Sequence, residues 1–195
     1  MADRTASPAL ATMTRVASVL LLTALTAAAA QVSIPLPFTP VPLTFQPMVV
    51  VLGGLALGAR LGLGSQVLYL ALGIAGAPVF AASGILPPGV ARLLGPTGGY
   101  LMAYPFAAFV AGWLAERGFA RRYLTSVAAL AAGTVVLYTG GVLWLAFSMR
   151  AGLGVALAAG VYPFVAMDVV KICFAAAAVP ALWRLIGYLP STNKY

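Results

Sequence analysis

Two charged residues of opposite sign, Asp168 and Lys171, lie three positions apart within the apolar stretch YPFVAMDVVKICF, residues 162–174. If this stretch is helical, the spacing places both side chains on one face. The carboxylate could accept a hydrogen bond from a ligand N–H group, and the ammonium could donate one to a ligand carbonyl. Because charges are costly in apolar surroundings, they usually face a pocket or each other. The pair therefore predicts either a site for a polar ligand or an ion pair that fixes a helix in its bundle.

The remaining side chains offer little catalytic chemistry. The chain has one cysteine, Cys173, no histidine, and only two further acidic residues, Asp3 and Glu116. Without histidine there is no Ser–His hydrolase, and one cysteine cannot form an intrachain disulfide or a zinc cluster. An intramembrane aspartyl protease would need a second carboxylate beside Asp168, and the sequence has no GxxxxGK[S/T] nucleotide-binding loop. We therefore expect a binding or transport protein that is not an enzyme and uses neither metal nor cofactor.

The composition predicts a chain that is solvated by lipid. Of its 195 residues, 63% are hydrophobic and 7% are charged, and the mean hydropathy is +1.04. A soluble domain could not cover so much apolar surface, and lipid favours helices because it offers the backbone no water to bond. The net charge of +8 is spread between apolar blocks rather than gathered in one region. We therefore expect membrane lipid around the chain and no nucleic-acid partner.

Six apolar blocks come near the length of a membrane-spanning helix, which is roughly 20 residues. With a cytoplasmic N-terminus, eight basic residues fall on the inner side and two, Arg92 and Arg150, on the outer side. This distribution follows the excess of positive charge that cytoplasmic loops carry. The pattern predicts an all-α bundle of six transmembrane helices in the cytoplasmic membrane, with both termini cytoplasmic. The predicted helices are residues 15–33, 45–60, 62–82, 97–116, 123–148 and 160–186.

The predicted organisation has three parts: a cytoplasmic N-terminal segment, residues 1–13; the transmembrane domain, residues 14–188; and a polar tail, residues 189–195. The first block also resembles a signal peptide, because a basic flank and an apolar core precede an Ala-x-Ala end. Cleavage after Ala30 would remove the first helix. We favour retention because the residues that follow, VSIPLPFTP, remain apolar.

Small residues recur at helical spacing in two places. Gly54, Gly58 and Gly62 are four positions apart, and so are Ala24 and Ala28 in the first block. Small residues on one helix face let a second helix approach closely. For the glycine series we expect packing within the chain. For the alanine pair, internal packing and docking of a partner remain open.

The segments between the blocks have unusual composition. Residues 32–47 carry five prolines and no charge, which forbids regular helix and favours a stiff, extended path that lies against the protein as a lid or rim. Residues 151–160 are small and apolar and are expected to form a short outer segment. In the stretch GPTGGY, Gly98 and Gly99 would expose backbone N–H groups at a helix start. We expect aromatic walls for a ligand from Phe38, Phe45, Tyr100 and Tyr162.

Four stretches together resemble a known family: QVSIPLPFTPVPLTFQ, YLALGIAGAPVFAASG, LLGPTGGYL and PFVAMDVVKICFA. In this order they resemble the BioY family, the biotin-specific substrate-binding subunits of energy-coupling-factor (ECF) transporters, over residues 24–178. The combination of LLGPTGGYL with an Asp-x-x-Lys helix is the specific part. The resemblance implies a six-helix membrane protein that holds biotin near its outer surface and takes part in vitamin uptake.

The resemblance also implies site residues. The family's membrane Asp and Lys match Asp168 and Lys171, and its Tyr after the double glycine matches Tyr100. By charge alone, Arg92 is the cation expected to bind the valerate carboxylate of biotin. A family loop that often carries Asn reads ASGILPPG here, and Ser83 is its nearest side-chain candidate. The expected substrate-binding set is completed by Gln46 and Thr97.

The expected partners are a transmembrane coupling subunit and ATP-binding-cassette ATPases, because the chain encodes no nucleotide site of its own. The nearest match to the family's Ala-x-x-x-Ala contact is Ala24 with Ala28. Two other functions stay open on the residues. One is a solo proton-coupled transporter, in which Asp168 would relay protons. The other is a binding subunit for a different vitamin, although a cationic one would favour more than one carboxylate and a flavin would need broader aromatic walls.

Overall fold

A β-hairpin and eight helices make up residues 7–82 and 86–188, the part of the chain that the computed structural model describes. A 3-10 turn at Phe119–Arg121 joins two of the helices. The elements are α1 (Pro8–Gln31), β1 (Ser33–Leu36), β2 (Thr39–Thr44), α2 (Gln46–Leu57), α3 (Ala59–Ile74), α4 (Ala91–Leu94), α5 (Gly98–Glu116), α6 (Tyr123–Ser148), α7 (Leu153–Gly160) and α8 (Tyr162–Tyr188).

Each predicted transmembrane block falls on a helix, but the helices differ from the prediction in length. By length and composition, α1, α5 and α6 can each cross a membrane, and α7 with α8 forms a fourth candidate that is bent by 47°. The helices α2 and α3 have 12 and 16 residues and fall short of the same criterion. The chain is therefore a largely helical, multi-pass membrane protein with three or four spanning candidates among the described residues.

The boundaries of two helices correct the sequence-based ranges. The helix α1 begins at Pro8 rather than at residue 15, because Ser7 accepts a hydrogen bond from Leu10 N–H at 3.3 Å and caps the helix. The helix α3 ends at Ile74 rather than at residue 82. The chain turns there at Gly76, whose φ of 95° favours glycine. Both corrections come from local capping and turn chemistry rather than from hydropathy.

The proline-rich segment follows the extended path that its composition predicts. It folds into an antiparallel hairpin in which Ser33 pairs with Thr44 and Leu36 with Thr39, and the register shifts between these pairs. The hydroxyl of Thr39 donates to Ala159 O at 2.6 Å and fastens β2 to α7. This hairpin is a departure from the predicted all-α architecture in the part of the chain described.

The helix α5 lies at the centre of the bundle and packs against α2, α3 and α6. Ala107, Ala108 and Ala111 are fully buried on it. A Cβ atom at Gly54 would collide with the backbone of Ala108, and one at Gly62 would lie 2.9 Å from Gly54 Cα. The glycine series therefore packs inside the chain, as expected. Its small residues let α2 and α3 approach α5 until backbone atoms are nearly in contact.

The helix α1 joins the bundle through α2 and α3 and uses polar contacts to do so. Thr23 Oγ1 donates to Ser65 O at 2.9 Å, and Gln66 Nε2 donates to Thr26 Oγ1 at 3.1 Å. All four side chains are buried. The opposite face of α1, which carries Ala24 and Ala28, is exposed. The alanine pair is thus available for contact with another protein instead of packing inside this chain.

Candidate functional site

A cavity lies beneath the hairpin, among α5, α6 and α8. The space inside it that can hold the centre of a water-sized sphere is about 80 Å³. Its lining combines apolar and aromatic side chains with a few polar groups. The lining residues are Val41, Pro42, Leu43, Thr44, Gln46, Pro47, Phe80, Ala81, Arg92, Thr97, Tyr100, Leu101, Tyr104, Thr134, Leu137, Tyr138, Gly160, Phe164 and Asp168.

The structure brings Asp168 and Lys171 together on one face of α8, as their spacing predicts. Lys171 Nζ lies 3.1 Å from Asp168 Oδ1, and both residues are less than a tenth exposed. Asp168 lines the cavity, whereas Lys171 is absent from its lining. Lys171 also donates to Thr44 O at 3.1 Å, at the end of β2. The ammonium therefore neutralises the carboxylate and holds the base of the hairpin against α8.

Tyr138 is a site residue that the sequence reasoning missed. Its hydroxyl donates to Asp168 Oδ2 at 2.6 Å, so each carboxylate oxygen has one protein donor. Tyr138 comes from α6 and lines the same cavity. The signal in the sequence is a lone tyrosine in the stretch VVLYTGG, and no spacing rule connects it with a residue on another helix. Only the packing of α6 on α8 reveals the contact.

Tyr100 lines the cavity with its ring. Its hydroxyl donates to Gly160 O at 2.6 Å and so links α5 to the end of α7. A Cβ atom at Gly141 would collide with the ring, and one at Gly160 would collide with the hydroxyl. The two glycines therefore form a close cradle for the tyrosine. Because the hydroxyl proton is already engaged by the backbone, Tyr100 can offer a ligand its ring and the acceptor lone pairs of its oxygen.

The other predicted site residues have different placements. Gln46, Thr97 and Arg92 line the cavity with Asp168 and Tyr100, so five predicted residues share it. The buried Gln46 donates from Nε2 to Tyr69 at 2.6 Å. The half-buried Arg92 donates from Nε to Pro87 O at 3.2 Å.

The expected residue Ser83 lies outside the described residues.

At GPTGGY, the N–H group of Gly98 bonds within the chain, which corrects the expectation that it is open to a ligand. Gly98 and Gly99 are both buried, and Gly98 N–H donates to Gly95 O at 3.0 Å. A Cβ atom at Gly99 would collide with Trp144 on α6. Trp144 Nε1 in turn donates to Gly95 O at 2.8 Å. The glycines are needed because α5 begins in close contact with α6.

The expected aromatic walls are also partly wrong. Phe38, Phe45 and Tyr162 are 67%, 46% and 68% exposed and do not line the cavity. The aromatic lining consists instead of Phe80, Phe164, Tyr100, Tyr104 and Tyr138. The sequence identified the loops that approach the cavity, but not which side of each loop faces inward.

Comparison with known proteins places the chain in a family. The model of the BioY family matches residues 3–188. A protein of Pyrococcus horikoshii named probable biotin transporter BioY is 46% identical over 172 residues, covering 88% of this chain and 96% of that protein. The biotin transporter BioY of Thermotoga maritima is 37% identical over 165 residues, covering 85% of this chain and 93% of that protein.

A solved structure has the same fold. The crystal structure of the S-component for biotin from an ECF-type ABC transporter matches with a TM-score of 0.79 and 25% sequence identity, covering 89% of this chain and 92% of that one. The resemblance inferred from four short stretches thus extends over almost the whole length in both sequence and fold. The chain belongs to the BioY family, which consists of transporter components rather than enzymes.

Proposed function

We propose that the chain binds biotin and serves its uptake as the substrate-binding subunit of an ECF transporter in the cytoplasmic membrane. The observation that carries this proposal is Asp168, a buried carboxylate that lines a largely apolar cavity with donors on both of its oxygens. The names of the relatives and of the solved structure, which concern biotin, support the same ligand.

The chemistry of biotin suits this lining. Its ureido ring has two N–H donors and one carbonyl acceptor, and Asp168 can accept from one N–H group. Lys171 forms an ion pair with the carboxylate at 3.1 Å, and displacement of its Nζ from Thr44 O would let it donate to the ureido carbonyl. Hydrogen bonds to charged groups contribute about 1.5–3 kcal/mol each.

The remainder of biotin is apolar except for its carboxylate. Phe80, Phe164 and Leu137 can cover the thiophane ring and the valeryl chain, and Arg92 is the cation that lines the cavity. We assign the valerate carboxylate to Arg92. Gln46, Thr97 and Tyr100 complete the proposed contacts, and Ser83 remains a candidate from sequence alone. Asp168 is the single acidic residue in this lining, which weighs against a cationic vitamin.

Energy for uptake would come from other subunits. The sequence encodes no P-loop, so a transmembrane coupling subunit and ABC ATPases are the proposed partners. The exposed face of α1 at Ala24 and Ala28 is the proposed docking surface. Small residues on that face would let a partner helix approach closely.

We further propose six crossing helices, α1, α2, α3, α5, α6 and α8, with both termini in the cytoplasm. At 1.5 Å per residue, α2 and α3 are about 18 and 24 Å long, shorter than a hydrocarbon core of about 30 Å. Local thinning of the bilayer would accommodate them.

Titration of the detergent-purified, monodisperse chain with biotin tests the binding proposal, together with mass spectrometry of any small molecule that co-purifies. We expect saturable binding of one biotin per chain. Absence of biotin binding, or tighter binding of thiamine or riboflavin, would overturn the proposal. Proton-dependent uptake by the isolated chain in vesicles would favour a solo transporter instead.

A further inference from the structure

We infer that Tyr138 is a positioning residue for Asp168, and that recognition of a ligand N–H group depends on its hydroxyl. The inference rests on the proposed function, because it concerns the same carboxylate. Tyr138 Oη donates to Asp168 Oδ2 at 2.6 Å, a short bond between a neutral hydroxyl and a carboxylate. The bond joins α6 to α8 across the wall of the cavity.

Both oxygens of Asp168 are held from fixed directions. Lys171 reaches Oδ1 from the next turn of α8, and Tyr138 reaches Oδ2 from the neighbouring helix. Without such contacts, the χ2 torsion that turns an aspartate carboxyl group is only weakly restrained. A carboxylate has about four lone-pair sites, so these two donors leave acceptor positions free while fixing the plane in which they lie. The cavity therefore presents an oriented acceptor rather than a freely turning charge.

Two other hydroxyls in the lining, those of Thr134 and Tyr100, do not share this role. Thr134 lies one turn before Tyr138 on α6 and also lines the cavity, but its Oγ1 donates to Leu130 O at 2.9 Å on its own helix. Tyr100 makes a bond as short as that of Tyr138, 2.6 Å, but to Gly160 O. Tyr100 is thus a matched comparison: a tyrosine in the same lining whose hydroxyl is engaged away from the carboxylate.

The consequence is a specific form of ligand selection. If the carboxylate is held in one plane, it accepts well from an N–H group at one position and poorly from any other arrangement. Biotin analogues that carry a methyl group on one ureido nitrogen remove one donor each, whereas desthiobiotin keeps both donors and lacks the sulfur. The affinity lost on methylation, the N-methyl penalty, therefore reports on the oriented carboxylate, and the affinity lost with desthiobiotin does not.

The experiment measures dissociation constants for biotin, the two N-methyl analogues and desthiobiotin by calorimetric titration of the full chain in detergent. For Tyr138→Phe, we expect biotin affinity to fall about tenfold, the loss typical of a hydrogen bond to a charged group. Of the two N-methyl penalties measured for the parent chain, the larger one should shrink severalfold in Tyr138→Phe. The desthiobiotin penalty should stay as in the parent chain. Tyr100→Phe, whatever its effect on affinity, should retain the full N-methyl penalty.

Carboxyl NMR gives a second measurement on the same variants. The chain has two aspartates, Asp3 and Asp168, so labelling aspartate with ¹³C at the carboxyl carbon gives two resonances, and Asp3→Asn assigns them. Tyr138→Phe should move the Asp168 resonance without ligand, and Tyr100→Phe should leave it in place.

The outcomes separate this inference from the proposed function. Failure of the parent chain to bind biotin overturns the function. Unchanged affinity in Asp168→Asn would remove Asp168 as a ligand contact, and the positioning role of Tyr138 with it, but would leave biotin binding in place. If the parent chain binds biotin and Asp168→Asn weakens it, but Tyr138→Phe keeps the full N-methyl penalty, the positioning role is wrong and the function stands. Equal shrinkage of the N-methyl and desthiobiotin penalties would also overturn the role, because general loosening of the cavity would explain it.

Discussion

The ammonium of Lys171 donates to the backbone oxygen of Thr44, 127 positions earlier in the chain, at 3.1 Å. The same Nζ atom contacts Asp168 at 3.1 Å and lies 5.2 Å from the centre of the Phe45 ring. One side chain therefore links the cavity carboxylate with the junction between β2 and α2. The hairpin is held at its other end by Thr39 and Ala159. Any change at Lys171 should affect both the ligand site and the hairpin.

This relationship predicts that Lys171→Met will loosen the hairpin. The substitution keeps an unbranched side chain but removes the bond to Thr44 and leaves a buried carboxylate without its cation, which is strongly destabilising. We expect faster hydrogen exchange of the amides in β1 and β2, together with weaker biotin binding. The hairpin amides should exchange more slowly in Lys171→Arg, which keeps the charge, than in Lys171→Met. Parent-like exchange of the hairpin in Lys171→Met would show that the bond to Thr44 does not hold it.

A second prediction concerns the attachment of α1. Thr26→Val removes the hydroxyl that accepts from Gln66 Nε2 and leaves that buried amide one partner short. Leaving a buried donor unpaired costs about 1–3 kcal/mol, so the melting temperature in detergent should fall. Thr14→Val is the matched control, because Thr14 is exposed and its hydroxyl donates to Leu10 O within its own helix. Equal melting temperatures for the two variants would contradict a stabilising role of the Thr26 contact.

The Asp168–Lys171 pair could be predicted from the sequence because the periodicity of a single helix fixes which residues share a face. Tyr138 could not, since its contact depends on how α6 packs against α8. Four of the five predicted residues that share the cavity lie in the stretches that resemble the family, whereas Arg92 was predicted by charge alone. The inward-facing aromatic residues depended on the side of each loop that turns to the cavity, which local pattern does not determine.

For the fold as well, some features could be predicted from the sequence and others depended on tertiary packing. Hydropathy located all the long helices, whereas the end of α3 at Ile74 depends on turn chemistry that hydropathy does not register. The prolines of the first loop indicated an extended path correctly. They gave no indication of pairing, because the turn at Pro37 and Phe38 lacks the Asn-Gly or Gly-rich signal of a tight hairpin. The exposure of Ala24 and Ala28 likewise required the packing of the whole bundle.

The exposed alanine face predicts selective loss of partner contact. Replacing both Ala24 and Ala28 by Leu should reduce co-purification with the coupling subunit, since bulky side chains prevent close helix approach. Biotin binding should stay intact, because neither residue lines the cavity. Ala166→Leu, on an exposed position of α8, controls for added bulk. Co-purification at the parental level in the double variant would exclude this face as the docking surface.

Membrane topology is predicted from the basic residues. Single cysteines at positions 5 and 193, in a chain with Cys173→Ala, should resist labelling by a membrane-impermeant maleimide in intact cells and react after permeabilisation. A cysteine at Phe38, which is 67% exposed in the hairpin, should react from outside. External labelling at either terminus would refute six crossings in this orientation.

The strongest prediction concerns Asp168. Asp168→Asn keeps the size of the side chain but removes its charge and can present an N–H group where biotin needs an acceptor. Biotin affinity should fall by about 2–4 kcal/mol, roughly 30- to 1,000-fold, through loss of a charged hydrogen bond in a desolvated site. Lys171→Met should also weaken binding, and the double variant should be less damaging than the sum, because the two side chains are in direct contact. If the pair only stabilises the bundle, both single variants will instead melt at lower temperature without ligand and keep parental affinity per folded molecule. Calorimetric titration of monodisperse protein, read beside ligand-free melting curves, separates these results, and unchanged affinity in Asp168→Asn would leave the pair as a packing element of α8.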